Sequence, residues 1–112
     1  MYCIRQVRSI DELKSTWEVV AAPFRHKLKD EERHLADHVD RFSTCRELML
    51  VVEHDGEIIG GALGHDGSLC IMTLAVRHRG KGLGRRLLQT FEVAVGLVER
   101  CICALKLAVE AH

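Results

Sequence analysis

Residues 74–91 read LAVRHRGKGLGRRLLQTF. An apolar run ends, three glycines follow at every second position (Gly80, Gly82, Gly84), and a helical apolar period then runs through Leu83, Leu87, Leu88 and Phe91. Arg79, Lys81, Arg85 and Arg86 crowd the glycines with positive charge. A strand, a glycine loop and a helix in that order suit an anion. A helix N-terminus presents N–H groups with no intrahelical acceptor and carries about half a positive charge. Glycines let that backbone come close to phosphate oxygens, because no side chain intervenes. A merely tight connection would need one or two glycines and would gain nothing from the cations.

Two common phosphate motifs are excluded by spacing. A P-loop needs a hydroxyl residue after its lysine, and Lys81 is followed by Gly82. A dinucleotide fingerprint, G-x-G-x-x-G, fails because its last position falls on Arg85 or Leu87. What remains is R-x-x-G-x-G, formed by Arg79, Gly82 and Gly84.

Outward from the loop, the elements follow from periodicity. Residues 2–8 alternate weakly through Tyr2, Ile4 and Val7 and read as a first strand. Ser9 and Glu12 make a capping box. Ile10, Leu13, Trp17, Val20, Ala21 and Phe24 then recur at helical spacing, until Pro23 ends or kinks the helix. A second helix is expected over Asp30–Phe42, with Leu35, Val39 and Phe42 on one face. Residues 48–54 and 57–65 flank Asp55-Gly56, a hairpin signal. Residues 68–76 are apolar on both faces and read as a central strand. Residues 83–98 are an amphipathic helix, and 101–109 alternate as a last strand. The order is β-α-α-β-β-β-α-β: a mixed α/β sheet with an antiparallel meander, a parallel crossover into the last strand and helices packed on both faces.

This order and the R-x-x-G-x-G loop together resemble the GCN5-related N-acetyltransferases, the GNAT superfamily, across one domain spanning 1–112. The resemblance implies acetyl-CoA as co-substrate and an amine as acceptor. It assigns the pantetheine-binding strand end to Leu74, Ala75 and Val76. It assigns the pyrophosphate amides to Gly80, Lys81, Gly82, Leu83, Gly84 and Arg85, with Arg79 adding charge. It implies direct attack by the amine, with the N–H of Leu74 polarising the carbonyl. It also implies that acceptor recognition falls on residues 22–34, whose mixed charge names no acceptor.

The chain departs from the family pattern in two places. Only Arg77 and His78 separate Val76 from Arg79, a shorter turn than usual. The sequence ends at His112, so the usual closing helix and hairpin, with the tyrosine that commonly protonates the leaving thiolate, are expected to be lacking. An apolar edge at 101–111 is then expected to pair with another copy or a partner chain. His65 and Glu110, at strand ends, are candidate bases, with Glu53 a third. A non-catalytic module that binds acyl-CoA or a partner is the alternative reading.

Composition bounds the rest. Sixteen Lys plus Arg balance sixteen Asp plus Glu, so no nucleic-acid coat is expected. No stretch approaches the roughly 20 apolar residues of a membrane span, and the start, MYCIRQVRSI, has no signal-peptide core. Five irregularly placed cysteines fit a reduced, cytoplasmic setting. Cys101-x-Cys103 is not a zinc spacing. His34 and His38 are four apart on a helix, which suits a metal, but no third ligand stands out and no metal is expected.

Overall fold

A computed structural model describes residues 1–66 and 68–97. The expected last strand at 101–109, the edge at 101–111, Glu110 and the Cys101-x-Cys103 pair all lie outside the described residues.

Strand β1 (Tyr2–Gln6) leads into helix α1 (Ile10–Ala21). The Ser9 hydroxyl accepts from the Glu12 N–H at 3.1 Å, as the capping box requires. The Glu12 carboxylate reaches one residue further back than expected. It accepts from the Arg8 N–H at 2.8 Å and from both terminal nitrogens of Arg5 at 2.7 and 2.8 Å. That two-pronged contact ties β1 to the start of α1 and holds the Glu12 carboxyl down at about 2. A 3₁₀ turn over Ala22–Phe24 contains Pro23 and ends α1. Helix α2 (Glu31–Asp40) is two residues shorter than expected at its C-terminal end. Its first residue is anchored to α1, because Trp17 Nε1 donates to Glu31 Oε2 at 3.0 Å.

Strands β2 (Met49–His54), β3 (Glu57–His65) and β4 (Ser68–Leu74) form the meander. Asp55 and Gly56 turn the first hairpin with φ of 50° and 83°, the two left-handed residues of a type I′ turn. All pairings are antiparallel, in the order β1-β2-β3-β4. The β3–β4 register shifts once. Leu63 faces Ile71 and Gly64 faces Leu69, which leaves Cys70 as an extra, unpaired residue on β4.

Period-two alternation splits the core across the sheet. Met49, Val51 and Leu63 point to one face and pack with Leu13, Trp17 and Val20 of α1. Leu50, Val52 and Ala62 point to the other and pack with Leu83, Leu87, Phe91 and Val95 of helix α3 (Leu83–Leu97). Helices therefore cover both faces.

One expectation is corrected at β4. The strand stops at Leu74, and Val76 falls in a 3₁₀ turn over Val76–His78 with its side chain 74% exposed. The turn closes on itself through His78 N–H to Ala75 O and Arg79 N–H to Val76 O, which takes the backbone out of the ladder. Among the described residues β4 pairs on one side only, with β3, and the strand expected on its other side, 101–109, lies outside the described residues. Ser68 and Cys70 are exposed while Leu69, Ile71 and Thr73 are buried.

Candidate functional site

The turn after β4 delivers the glycine loop to the head of α3. Gly80 and Gly82 have φ of 80° and 77°, in the left-handed region that side chains disfavour, and a Cβ at either would meet nothing within 4 Å. These glycines thus serve backbone conformation, not packing. The Gly82 carbonyl accepts the first helical bond from the Arg86 N–H at 3.1 Å. The N–H groups of Leu83, Gly84 and Arg85 then have no carbonyl a turn earlier within the helix and face outward from its positive end. The Leu83 side chain is buried, so that residue contributes only its backbone.

Leu74 is opposite Gly60, and the neighbouring Ala75 N–H donates to Ile59 O at 2.8 Å. Leu74 therefore occupies a non-hydrogen-bonded pair, whose N–H and C=O point away from β3. Arg79 Nε donates to that carbonyl at 2.9 Å. The guanidinium therefore fixes the strand end as well as charging the loop, and among the described residues the Leu74 N–H points away from β3.

A cavity of about 480 Å³ opens beside these groups. Met72, Thr73 and Leu74 of β4 line it, with Arg79, Gly80 and Gly84 of the loop and Pro23 and Phe24 after α1. The cavity is thus bordered by the end of β4, the helix N-terminus and the connection between α1 and α2. The sequence reading placed Phe24 on the apolar face of α1. Its role as a cavity wall depends on how Pro23 redirects the chain.

Beneath the loop lies a polar cluster that the sequence did not reveal. Arg77 Nε donates to His78 Nε2 at 3.1 Å, so His78 Nδ1 carries the proton and donates to the Tyr2 hydroxyl at 2.9 Å. Lys81 Nζ donates to the same hydroxyl at 3.0 Å. The Tyr2 ring stacks on His54 at 4.3 Å, its partner across β1 and β2. Burial first, and then Arg77, push the His78 pKa down, which keeps the ring neutral. Lys81 is thus tethered, whereas Arg85 makes no ion pair among the described residues. Only the β1–β2 register, which is not readable from the sequence, brings Tyr2 to this place.

The model of the GNAT acetyltransferase family matches residues 11–112. The chain belongs to the GNAT acetyltransferase family. No curated protein matches it by sequence. Its fold is similar to that of Ard1 from Thermoplasma volcanium, at 17% identity and a TM-score of 0.65, over 88% of this chain and 66% of that one. It is similar to the PaiA N-acetyltransferase from Thermoplasma acidophilum, solved in complex with coenzyme A, at 18% identity and a TM-score of 0.60, over 88% and 74%. It is also similar to yncA from Salmonella typhimurium, solved with its cofactor acetyl-CoA, at 20% identity and a TM-score of 0.64, over 89% and 66%. The chain thus spans about two thirds of the length of the Ard1 and yncA chains.

For a GNAT domain the placement of ionisable groups matters. Glu53 is taken up by Arg5 at 3.3 Å. His65 pairs with Ser68 at the far end of the β3–β4 hairpin, six residues along β4 from Leu74, or roughly 20 Å at strand rise. It does not line the cavity, whose only ionisable wall residue among those described is Arg79. The structure therefore brings the loop residues together but leaves His65 apart from them, and Glu110 lies outside the described residues. No helix among the described residues is long and apolar enough to cross a membrane.

Proposed function

We propose that this chain is an N-acetyltransferase domain that moves an acetyl group from acetyl-CoA to an amine acceptor. The observation that carries the reading is that the end of β4 at Leu74, Arg79, the left-handed Gly80 and Gly84 at the head of α3 line one cavity. The N–H groups of Leu83, Gly84 and Arg85 would hold the pyrophosphate, with Arg79 and Arg85 balancing its charge. Ala75 and Val76, on the turn that leaves β4, would border the pantetheine arm. Acetyl-CoA supplies an activated thioester carbonyl when bound. The Leu74 N–H would donate to that oxygen as negative charge develops there. Pro23 and Phe24 would exclude water on the acceptor side.

A second reading, a module that binds acyl-CoA without turnover, is favoured by one observation: the described cavity wall offers no carboxylate or imidazole to take the ammonium proton. One experiment separates the two. The protein is incubated with acetyl-CoA and a panel of small amines, diamines and peptide N-termini, with free thiol followed by colour and product by mass. Acceptor-dependent thiol release with a matching acetylated product supports the transferase. Binding of CoA with no release for any acceptor supports the module.

A further inference from the structure

The face of α2 that carries Leu35 and Val39 also carries His38, which is 2% exposed. His38 Nδ1 donates to the His34 carbonyl at 2.8 Å, so Nε2 is the nitrogen with a lone pair. That Nε2 is buried and has no hydrogen-bond partner. A buried acceptor left unpaired is costly, so its surroundings need explaining. His65 faces it from β3, with ring centroids 5.0 Å apart. His65 Nδ1 is held by Asp66 Oδ2 at 3.0 Å, which again leaves Nε2 free. The third group is Cys70, the extra residue of the β4 bulge. A bulge re-aims a side chain, and here it turns the thiol to the α2 side of the sheet. The ligating atoms of His38, His65 and Cys70 all lie within 4.8 Å of one another.

We propose that His38, His65 and Cys70 form a binding site for one thiophilic divalent cation of the zinc class, with a fourth position open to water. Tetrahedral zinc, with nitrogen near 2.0 Å and sulfur near 2.3 Å, holds its donors roughly 3.5 Å apart. About an ångström of side-chain rotation closes the present set, and Cys70, exposed and held by a long contact from its thiol to the Ser68 carbonyl at 4.0 Å, can supply it. Two imidazoles and one sulfur match the ligand preference of zinc over magnesium or calcium. Each imidazole already has the oxygen partner that typically fixes a metal-bound histidine, a backbone carbonyl for one and a carboxylate for the other. Arg41, a cation that acts on Cys70, is paired with Asp66 at 3.1 Å and Asp37 at 4.0 Å, so its charge does not stand unopposed at the site. On binding, the Cys70 S–H bond breaks, its proton goes to solvent, and a metal–sulfur bond forms with no change of oxidation state. The ion would clasp α2 to the β3–β4 hairpin. This site is separate from the acyl-CoA cavity and does not depend on it.

The test uses the full chain, freshly reduced and metal-free. Zinc affinity is measured in competition with a chromophoric chelator, and cobalt is used as a spectroscopic probe. One equivalent should bind, and cobalt should give an intense thiolate-to-metal band in the near ultraviolet. Cys70→Ser should abolish that band and weaken zinc binding at least tenfold. His38→Gln and His65→Gln should weaken it similarly, while Cys3→Ser should change nothing. Zinc should raise the melting temperature of the wild type and not of Cys70→Ser. His38 is buried and its variant is the one at risk of misfolding, so Cys70→Ser, at an exposed position, decides the matter. Failure of the wild type to compete with the chelator overturns the proposal. So does a cobalt band or zinc affinity that survives Cys70→Ser intact.

Discussion

Gly82→Val should damage ligand binding far more than folding. Gly82 holds φ of 77°, and a left-handed conformation costs an ordinary residue roughly 1–2 kcal/mol, more for a β-branched one. Valine has two ways out. It can keep the conformation and carry that strain, or flip to negative φ and re-aim the N–H groups of Leu83 and Gly84. Either route takes donors away from the position a phosphate would occupy. We expect affinity for CoA to fall at least tenfold, or about 1.4 kcal/mol. The core should survive, because a Cβ at Gly82 meets nothing within 4 Å. The melting temperature should fall by about 4–8 °C for each kcal/mol of strain retained. Gly84→Ala is the matched control. It lies in the first turn of α3 in open space, with no positive φ. Alanine there should leave stability equal or improved by up to about 1 kcal/mol. Its affinity should change by less than tenfold, under about 1.4 kcal/mol. Calorimetric titration with CoA and a melt followed by circular dichroism read both quantities. Equal CoA affinity for Gly82→Val and the wild type would show that the glycines serve only the turn.

Arg79→Gln should lose the bond to the Leu74 carbonyl and a loop charge together; a stability loss of about 1 kcal/mol by denaturant titration and weaker CoA binding are both expected. The Glu12 carboxyl is held at about 2 chiefly by its hydrogen bond from Arg5, below its value in the unfolded chain. Its contribution should be complete above about pH 4.5 and fade as pH falls toward 2. Glu12→Gln should therefore lose about 1–2 kcal/mol at pH 7 and show a flatter acid limb, and an unchanged limb would contradict this. Gly64→Ala should destabilise by about 1–3 kcal/mol, because its methyl would overlap the Ser68 carbonyl and come within 2.6 Å of the Phe91 ring. A wild-type urea midpoint for that variant would show that the ring has room to move.

The parts of the fold legible in the sequence were those set by local chemistry. Asp55-Gly56 announces a turn because both residues accept positive φ, and Ser9 with Glu12 announces a helix start because the hydroxyl finds a free N–H. The loop was legible for the same reason, since glycine spacing and charge are properties of a few consecutive residues. The end of β4 was not, because Leu74 is fixed by Arg79 reaching back to its carbonyl from beyond the turn. The bulge at Cys70 was equally hidden, since an apolar run does not show where a register slips. His34 and His38 show the limit of helical spacing most directly. They share a face by count, yet His34 is exposed and His38 is buried beside Trp17, and its neighbours His65 and Cys70 come from a distant hairpin. The Tyr2–His78–Lys81 chain likewise depends on contacts between positions 76 and 79 residues apart.

The most direct measurement is a calorimetric titration of the full chain with CoA at low and at raised salt. The loop at the head of α3 should bind one CoA, with affinity falling as salt rises, because exposed charge contacts are screened. Dephospho-CoA and pantetheine in parallel titrations should bind progressively more weakly, as phosphate charge is removed from the ligand. No heat at millimolar CoA, or equal binding of CoA and pantetheine, would contradict the assignment of the glycine loop as the phosphate site.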